Sequence, residues 1–189
     1  MGRPSRPPYT IEPALAEAIV LDAWLQREIV GRRGVNLVTT LAHPSERLAL
    51  ESLTSALASL AGIDDVRAWI GWARSLLDPP DTEIRIDAQG SEAESIVPSR
   101  DIPRSGEESA TVSVVMPASD TLVLFEFLCR EIEEGHGANL LAAFVSPAEF
   151  WALNNLQCLL ETGDFYSASE DYGQQIEAAR ALLVAKKSP

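Results

Sequence analysis

Two sets of three polar residues recur in this chain at a fixed spacing of 103 positions, and they are its strongest candidates for chemistry. Side chains of these types could form a pair of related ligand sites if they converged in a pocket. Such a pocket would lie at the interface between the two repeated units in which the residues occur. The six residues are Arg27, Glu28 and Asn36, followed by Arg130, Glu131 and Asn139.

A structural role is the interpretation that we favour for these residues, because related halves need the same scaffolding. The asparagines would satisfy backbone groups after a helix end. Glu46 and Glu149, also repeated, would close the start of a helix, and Arg74 and Arg180 would clamp a glutamate of the first helix.

Glu133 and His136 have the ExxH spacing that places two metal ligands on one face of a helix. Di-iron carboxylate proteins need two such pairs and further carboxylates on other helices. The first copy has Val30 and Arg33 at the matching positions, so the second half of that site is missing. The sequence therefore predicts a surface histidine, an acidic run at 131–134 exposed to solvent, and no metal.

Catalytic motifs are missing from the sequence. It contains no GxGxxG, P-loop, GxSxG or HExxH pattern, and neither Cys129 nor Cys158 has a motif around it. A nucleophilic thiol needs a positioned base, so we expect buried or partly buried structural thiols. These observations weigh against an enzyme and predict no cofactor.

The recurring residues belong to a longer internal repeat. Residues 21–53 and 124–156 align without a gap, and 13 of the 33 positions are identical. After three additional residues in the second copy, 64–77 aligns with 170–183 at an offset of 106. Leucine spacing alone would not also align glycine, asparagine, proline and an Arg-Glu pair, so the pattern predicts a tandem duplication.

The two copies predict the same helices. A first helix runs from about Glu12 to Val30 with one buried face, and its counterpart begins with Ser119 or Asp120 as N-cap. Glycines follow where the chain needs a break or a left-handed residue. They are Gly34 and Gly137.

Short apolar segments at 37–42 and 140–145 come next, and their patterns do not decide between strand and helix. The second helix has a complete start signal in copy two, where Ser146, Pro147 and Glu149 occupy the N-cap, N1 and N3 positions. A third helix completes each copy, with Trp69 or Ile70 on its buried stripe.

The expected fold is mainly α, with a tandem duplication of a roughly three-helix unit packed with pseudo-two-fold symmetry. A minor β-hairpin from the connector is an additional option, pairing 82–86 with 111–116. The expected divisions are an N-terminal tail at 1–9, repeat 1 at 10–78, an acidic connector containing Pro and Ser at 79–111, repeat 2 at 112–185 and a C-terminal tail at 186–189.

The charge balance limits the possible partners. Lys and Arg number 15 against 28 Asp and Glu, for a formal net charge of −13. Nucleic-acid binding releases phosphate counterions through Lys and Arg, so this composition argues against it. No apolar run reaches the length of a transmembrane span, and a cytoplasmic protein is expected. Solubility is the simplest reason for the acidity, and a basic protein partner is the more specific one.

These observations favour a non-catalytic protein–protein interaction module, such as an adaptor, scaffold or acidic inhibitor-like binder, acting as a monomer or homodimer. The alternative is an enzyme or small-ligand-binding protein with a site at the interface between the repeats. A candidate partner surface lies in the main insertion of copy two, since tyrosine is enriched at interfaces. Its aromatic residues are Phe165, Tyr166 and Tyr172.

Overall fold

Helices make up most of the chain in the computed structural model, which describes residues 7–58, 60, 66–77, 110–162 and 171–187. No helix in these ranges is long and apolar enough to cross a membrane. The α-helices are α1 (Leu15–Leu25), α2 (Pro44–Leu57), α3 (Val66–Leu77), α4 (Ala118–Leu128), α5 (Pro147–Glu161) and α6 (Tyr172–Lys187), and the strands are β1 (Tyr9–Ile11) and β2 (Val114–Met116).

We call the described residues up to 77 and those from 110 onwards the two halves, and the first α-helix of each, α1 or α4, lies at the centre of the fold. On α1, Val20 and Trp24 are buried together with Leu21 and Leu25, so the helix is covered on more than the one face that we expected. On α4, every residue from 120 to 128 except Glu126 is buried. A helix that is apolar on all sides must be covered on all sides, which explains why other helices pack around these two.

The middle helix of each half packs largely on the opposite half. Helix α3 lies on α1 and α5, while α6 lies on α4 and α2. Helix α5 likewise contacts α1, and α2 contacts α4. The leucine stripes of α2 and α5 therefore face a core that both halves build together, and Leu50, Leu53, Leu153 and Leu156 are among its buried residues.

Each central helix ends in a wider π-helical turn, at Gln26–Gly31 and Cys129–Glu134. The next turn is left-handed: Arg33 and His136 have φ values of 53° and 48°. The glycines that follow have φ values of 75° at 34 and 72° at 137, which confirms the expected left-handed positions.

The apolar segments after these glycines are neither strands nor α-helices. They contain 3₁₀ turns, at Val35–Leu37 and Ala138–Ala143. In each turn one leucine, Leu37 or Leu140, points into the core. Such turns are short because their hydrogen bonds are poorly aligned, and here they carry the chain directly to the start of α2 or α5.

The starts of the later helices match the sequence signals in part. Ser146 caps α5 by accepting a hydrogen bond from the backbone N–H of Ala148, and His43 caps α2 in the same way. The expected N-cap of α4 was wrong, because that helix begins after Pro117. Asp120 instead lies in its first turn and pairs with Lys186 at 3.2 Å.

The strands form a two-stranded antiparallel sheet that joins the two halves. Ile11 lies opposite Val114, and Tyr9 lies opposite Met116. Ile11 and Val114 are themselves separated by 103 positions, the offset of the sequence repeat. β2 thus pairs with residues near the N-terminus, and the 82–86 stretch that we expected as its partner lies outside the described residues.

Candidate functional site

Arg27 donates to three acceptor residues, and two of them lie in the other half. Its Nε donates to Glu28 Oε1 at 2.7 Å. Its Nη1 and Nη2 donate to the two carboxylate oxygens of Glu149, each at 2.8 Å. Nη2 also donates to the carbonyl oxygen of Ala143 at 2.6 Å. This fork-to-fork pairing fixes both distance and orientation between the end of α1 and the start of α5.

Further donors complete what we call the Arg27 cluster. Arg74 Nη2 on α3 donates to Glu149 Oε1 at 2.8 Å, and Arg32 Nη1 donates to Glu28 Oε1 at 2.8 Å. Asn36 Nδ2 occupies the other oxygen of Glu28 at 2.9 Å. The members of the cluster are Arg27, Glu28, Arg32, Asn36, Arg74 and Glu149.

Arg130 makes the reciprocal set of contacts. Its Nε donates to Glu131 Oε1 at 2.7 Å. Its Nη1 and Nη2 donate to the two carboxylate oxygens of Glu46 at 2.7 and 3.0 Å. Nη2 also donates to the carbonyl oxygen of Thr40 at 3.0 Å. Every one of these acceptors lies 103 positions from its equivalent around Arg27.

The remaining members of this Arg130 cluster are less tightly placed. Asn139 Nδ2 donates to Glu131 Oε2 at 3.1 Å. Arg180 Nη2 lies 3.9 Å from Glu46 Oε1, and its Nη1 donates to Glu177 at 2.7 Å. The members of the cluster are Glu46, Arg130, Glu131, Asn139 and Arg180.

The four carboxylates at the centre of these clusters are buried. Glu28, Glu46, Glu131 and Glu149 are each at most 2% exposed. We expected the whole acidic run at 131–134 to be exposed to solvent. This was wrong for Glu131, which is buried, whereas Glu133 and Glu134 are exposed. A buried carboxylate is tolerated only when it is paired and hydrogen-bonded, which accounts for the arginines beside each one.

The arginines stay charged in this environment. Burial alone would lower the pKa of Arg27, but hydrogen bonds and charge attraction from Glu149 and Glu28 outweigh it and raise that pKa. The hydrogen bond to Glu46 raises the pKa of Arg130 in the same way, against the effect of burial and with help from Glu131. Both clusters therefore hold charged pairs.

Two expectations about the repeated polar residues were wrong. The amide nitrogens of Asn36 and Asn139 donate to glutamates and not to backbone groups. Arg74 binds a glutamate at the start of a helix in the opposite half and not one in its own first helix. The helix-closing role of Glu149 is confirmed in modified form, since its Oε2 accepts from the backbone N–H of Val145.

The repeated polar residues do not converge on one cavity. They divide between two clusters that share no member, and the arginines of each donate to protein carboxylates. In each cluster, charged hydrogen bonds join the end of one helix to the start of another. Across the part of the chain that the structure describes, no group of three or more His, Cys, Asp or Glu side chains could hold a metal ion.

The remaining chemical candidates lie apart from both clusters. His136 is exposed, as expected. Cys129 is half-buried, and burial, followed by the charges of Glu133 and Glu161, raises the pKa of its thiol to about 12. A thiol with this pKa is a poor nucleophile at neutral pH. Cys158 is exposed, so the expectation that it is buried or partly buried was wrong.

The predicted partner surface is described only at one residue. Phe165 and Tyr166 lie outside the described residues. Tyr172 is half-buried, and its hydroxyl donates to Glu126 Oε2 at 2.8 Å.

A different aromatic pair is exposed on α3. Trp69 and Trp72 are 39% and 38% exposed, and their rings meet edge to face at 5.3 Å. Of the two alternatives for the buried stripe of α3, Trp69 is exposed, whereas Ile70 is half-buried against the core. The sequence did contain a signal for this exposure, because the equivalent positions of copy two, 175 and 178, hold glutamine and alanine and no aromatic residue.

No known protein family matches the chain, and comparisons with curated proteins and with solved structures find no similar protein. A functional proposal must therefore rest on the contacts and surface of this chain itself.

Proposed function

We propose that this chain is a non-catalytic protein–protein interaction module of the cytoplasm, built by tandem duplication of a unit of about three helices. The sequence repeat supports the duplication, and so do the reciprocal bonds from Arg27 to Glu149 and from Arg130 to Glu46. The pairing of Ile11 with Val114 supports packing about a pseudo-two-fold axis, since equivalent residues meet only on such an axis.

The observation that carries the functional proposal is that the repeated arginines bind other groups of the protein itself. A ligand site between the repeats would need Arg27 and Arg130 to present donors to a shared cavity. Their guanidinium groups instead donate to buried glutamates and backbone carbonyls in two separate clusters. This arrangement weighs against the alternative of an enzyme or ligand-binding protein with its site at the repeat interface.

The exposed pair Trp69 and Trp72 is the surface that we assign to a protein partner. Tryptophan is enriched among the residues that contribute most to binding energy, and two exposed tryptophans in contact form an apolar patch instead of scattered single side chains. The pair occurs in one copy only, which gives the module a single such aromatic surface among the described residues. With a net charge of −13, the protein would attract a basic partner and speed its association.

Affinity capture with the full chain tests this proposal. We expect the wild type to retain one or more basic proteins from its source cells at low salt and to release them as salt rises. The double variant Trp69→Ser/Trp72→Ser should lose them. The control Leu182→Ser, which removes another exposed apolar side chain on α6, should keep them.

Retention of the same proteins by the tryptophan variant would contradict the proposed surface. Binding that does not respond to salt would contradict the basic character of the partner. A small metabolite that stabilises the wild type strongly in a thermal-shift screen would instead favour the ligand-binding alternative.

A further inference from the structure

Four large apolar side chains are exposed on two short segments that lie side by side. Val35 and Val38 are 69% and 70% exposed, while Leu141 and Val145 are 39% and 57% exposed. The hydroxyl of Thr40 donates to the carbonyl oxygen of Asn139 at 2.9 Å and ties the segments together. We call the four exposed side chains the apolar face.

The local backbone explains why Val35 and Val38 project together. Residues three apart are eclipsed in a 3₁₀ turn, so Val35 and Val38 form one outward stripe while Leu37 faces the core. The fold uses the leucine of each segment and gains nothing from exposing the other apolar side chains. Valine and leucine at these positions are therefore better explained by a contact with another molecule.

The residues that precede the two segments carry charges of opposite sign. Residues 30–33 read VGRR, with a formal charge of +2, whereas residues 133–136 read EEGH, with a formal charge of −2. These stretches occupy equivalent positions in the repeat, and Arg33 and Glu134 are both exposed. Arg32 is partly engaged with Glu28 at 2.8 Å, which leaves Arg33 as the outer charge of the basic stretch.

We propose that the apolar face is the contact between two copies of this chain in a homodimer. In a two-fold interface residue i meets j while j meets i, so a face with a basic flank and an acidic flank is self-complementary. When the two-fold axis runs between the two flanks, the acidic flank of the second copy lies against the basic flank of the first. When the axis instead runs along the line that joins the flanks, like charges meet, and this orientation is disfavoured.

Charge complementarity selects a second copy over a separate partner at this face. A uniformly basic protein would be attracted to Glu134 but repelled by Arg33, and an acidic one would meet the reverse problem. A second copy satisfies both flanks at once. The proposal is independent of the tryptophan surface on α3, which is a separate set of residues.

Analytical ultracentrifugation of the full chain over a wide concentration range tests the dimer. We expect the wild type to show a monomer–dimer equilibrium. Val38→Asp should abolish dimers, because it buries a charge from the apolar face of each copy in the contact. A wild type that stays monomeric up to several hundred micromolar would overturn the proposal.

Charge exchange tests the orientation. Arg33→Glu and Glu134→Arg should each weaken dimerisation by about tenfold or more, since each change occurs twice in a two-fold contact. The combined variant should recover an affinity close to that of the wild type, and Glu12→Arg, a matched change at another exposed position, should have no effect. Single variants that dimerise normally, or a combined variant that does not recover, would overturn the proposed pairing.

Discussion

The Arg27 and Arg130 clusters are built from the same residue types but differ in how many donors protect each carboxylate. Glu149 accepts hydrogen bonds from two arginines, whereas Arg130 is the one arginine hydrogen-bonded to Glu46 among the described residues, and Arg180 lies 3.9 Å away. Glu28 has an additional partner in Arg32, and glycine occupies the equivalent position, 135. In the first cluster, several arginines therefore protect the two buried carboxylates. In the second cluster, this protection depends mainly on Arg130.

The largest difference should appear when the central arginine is removed. Arg130→Met removes the arginine that is hydrogen-bonded to both Glu131 and Glu46 and leaves Glu46 with Arg180 at 3.9 Å, so we expect a loss of about 3–5 kcal/mol in unfolding free energy. Arg27→Met should cost about 2–3 kcal/mol, because Arg32 and Arg74 still pair with the two glutamates. Urea denaturation of the two variants measures both values.

Equal losses in the two variants would contradict the idea that redundancy distinguishes the clusters. A sharper form places Arg27→Met in an Arg32→Gln background. With one protecting donor gone, the cost of removing Arg27 should rise toward that of removing Arg130.

The two left-handed glycines should differ next. A Cβ added at Gly137 would lie 2.8 Å from Cδ2 of Phe150, while one at Gly34 would meet nothing within 4 Å. Gly34→Ala should therefore cost about 1 kcal/mol for the backbone conformation alone. Gly137→Ala should cost about 2–4 kcal/mol, because steric overlap adds to that strain.

Thermal unfolding of both glycine variants provides the measurement. Phe150→Leu supplies the matched background, since it removes the ring that the new methyl group would strike. The difference between the two alanine variants should shrink there, and an unchanged difference would mean that Phe150 is not its cause.

Arg32 should have a smaller effect, although it is what sets the first cluster apart. Its side chain is 45% exposed, and Glu28 keeps Arg27 and Asn36 as partners when Arg32 is removed. Arg32→Gln should cost about 0.5–1 kcal/mol in a urea titration, as partly exposed ion pairs do. A loss above about 2 kcal/mol would show that Glu28 depends on Arg32 more than its exposure suggests.

The cysteines offer a comparison that leaves stability unchanged. The thiolate is the reactive form, and with a pKa raised to about 12 the thiol of Cys129 stays protonated up to strongly basic pH. Exposed Cys158 should be alkylated by iodoacetamide first at pH 8, and the rate at Cys129 should keep rising beyond pH 9. Peptide mass spectrometry separates the two sites, and equal rates at pH 8 would contradict the assignment.

Sequence patterns predicted the elements of this fold better than their partners. Helix starts at Ser146 and the left-handed glycines follow from local chemistry, which is encoded within a few residues. The packing of α2 and α5 on the opposite half does not follow from local chemistry, because Glu46 and Glu149 carry the same local signals. No spacing rule can say whether Arg27 binds the nearer or the more distant glutamate.

The candidate site shows the same limit. Recurrence singled out Arg27, Glu28 and Asn36 as candidates, but it did not predict that Arg27 and Asn36 both donate to Glu28, nor could it distinguish a structural role from a ligand site. That distinction depends on burial and on the π-helical turn at Gln26–Gly31, for which the sequence contained no recognisable signal. The exposure of Trp69 was missed because tryptophan at a core-like spacing usually lies inside.

The crossing of contacts between the halves also determines when the protein can fold during its synthesis. Arg27 must wait for Glu149, and β1 at Tyr9–Ile11 must wait for Val114–Met116. When only the first half has left the ribosome, its apolar residues are exposed, because α5, the helix that covers them, has not yet been made. We therefore expect the nascent chain to stay protease-sensitive until the start of α5 has left the exit tunnel, and then to become protected over a short further length.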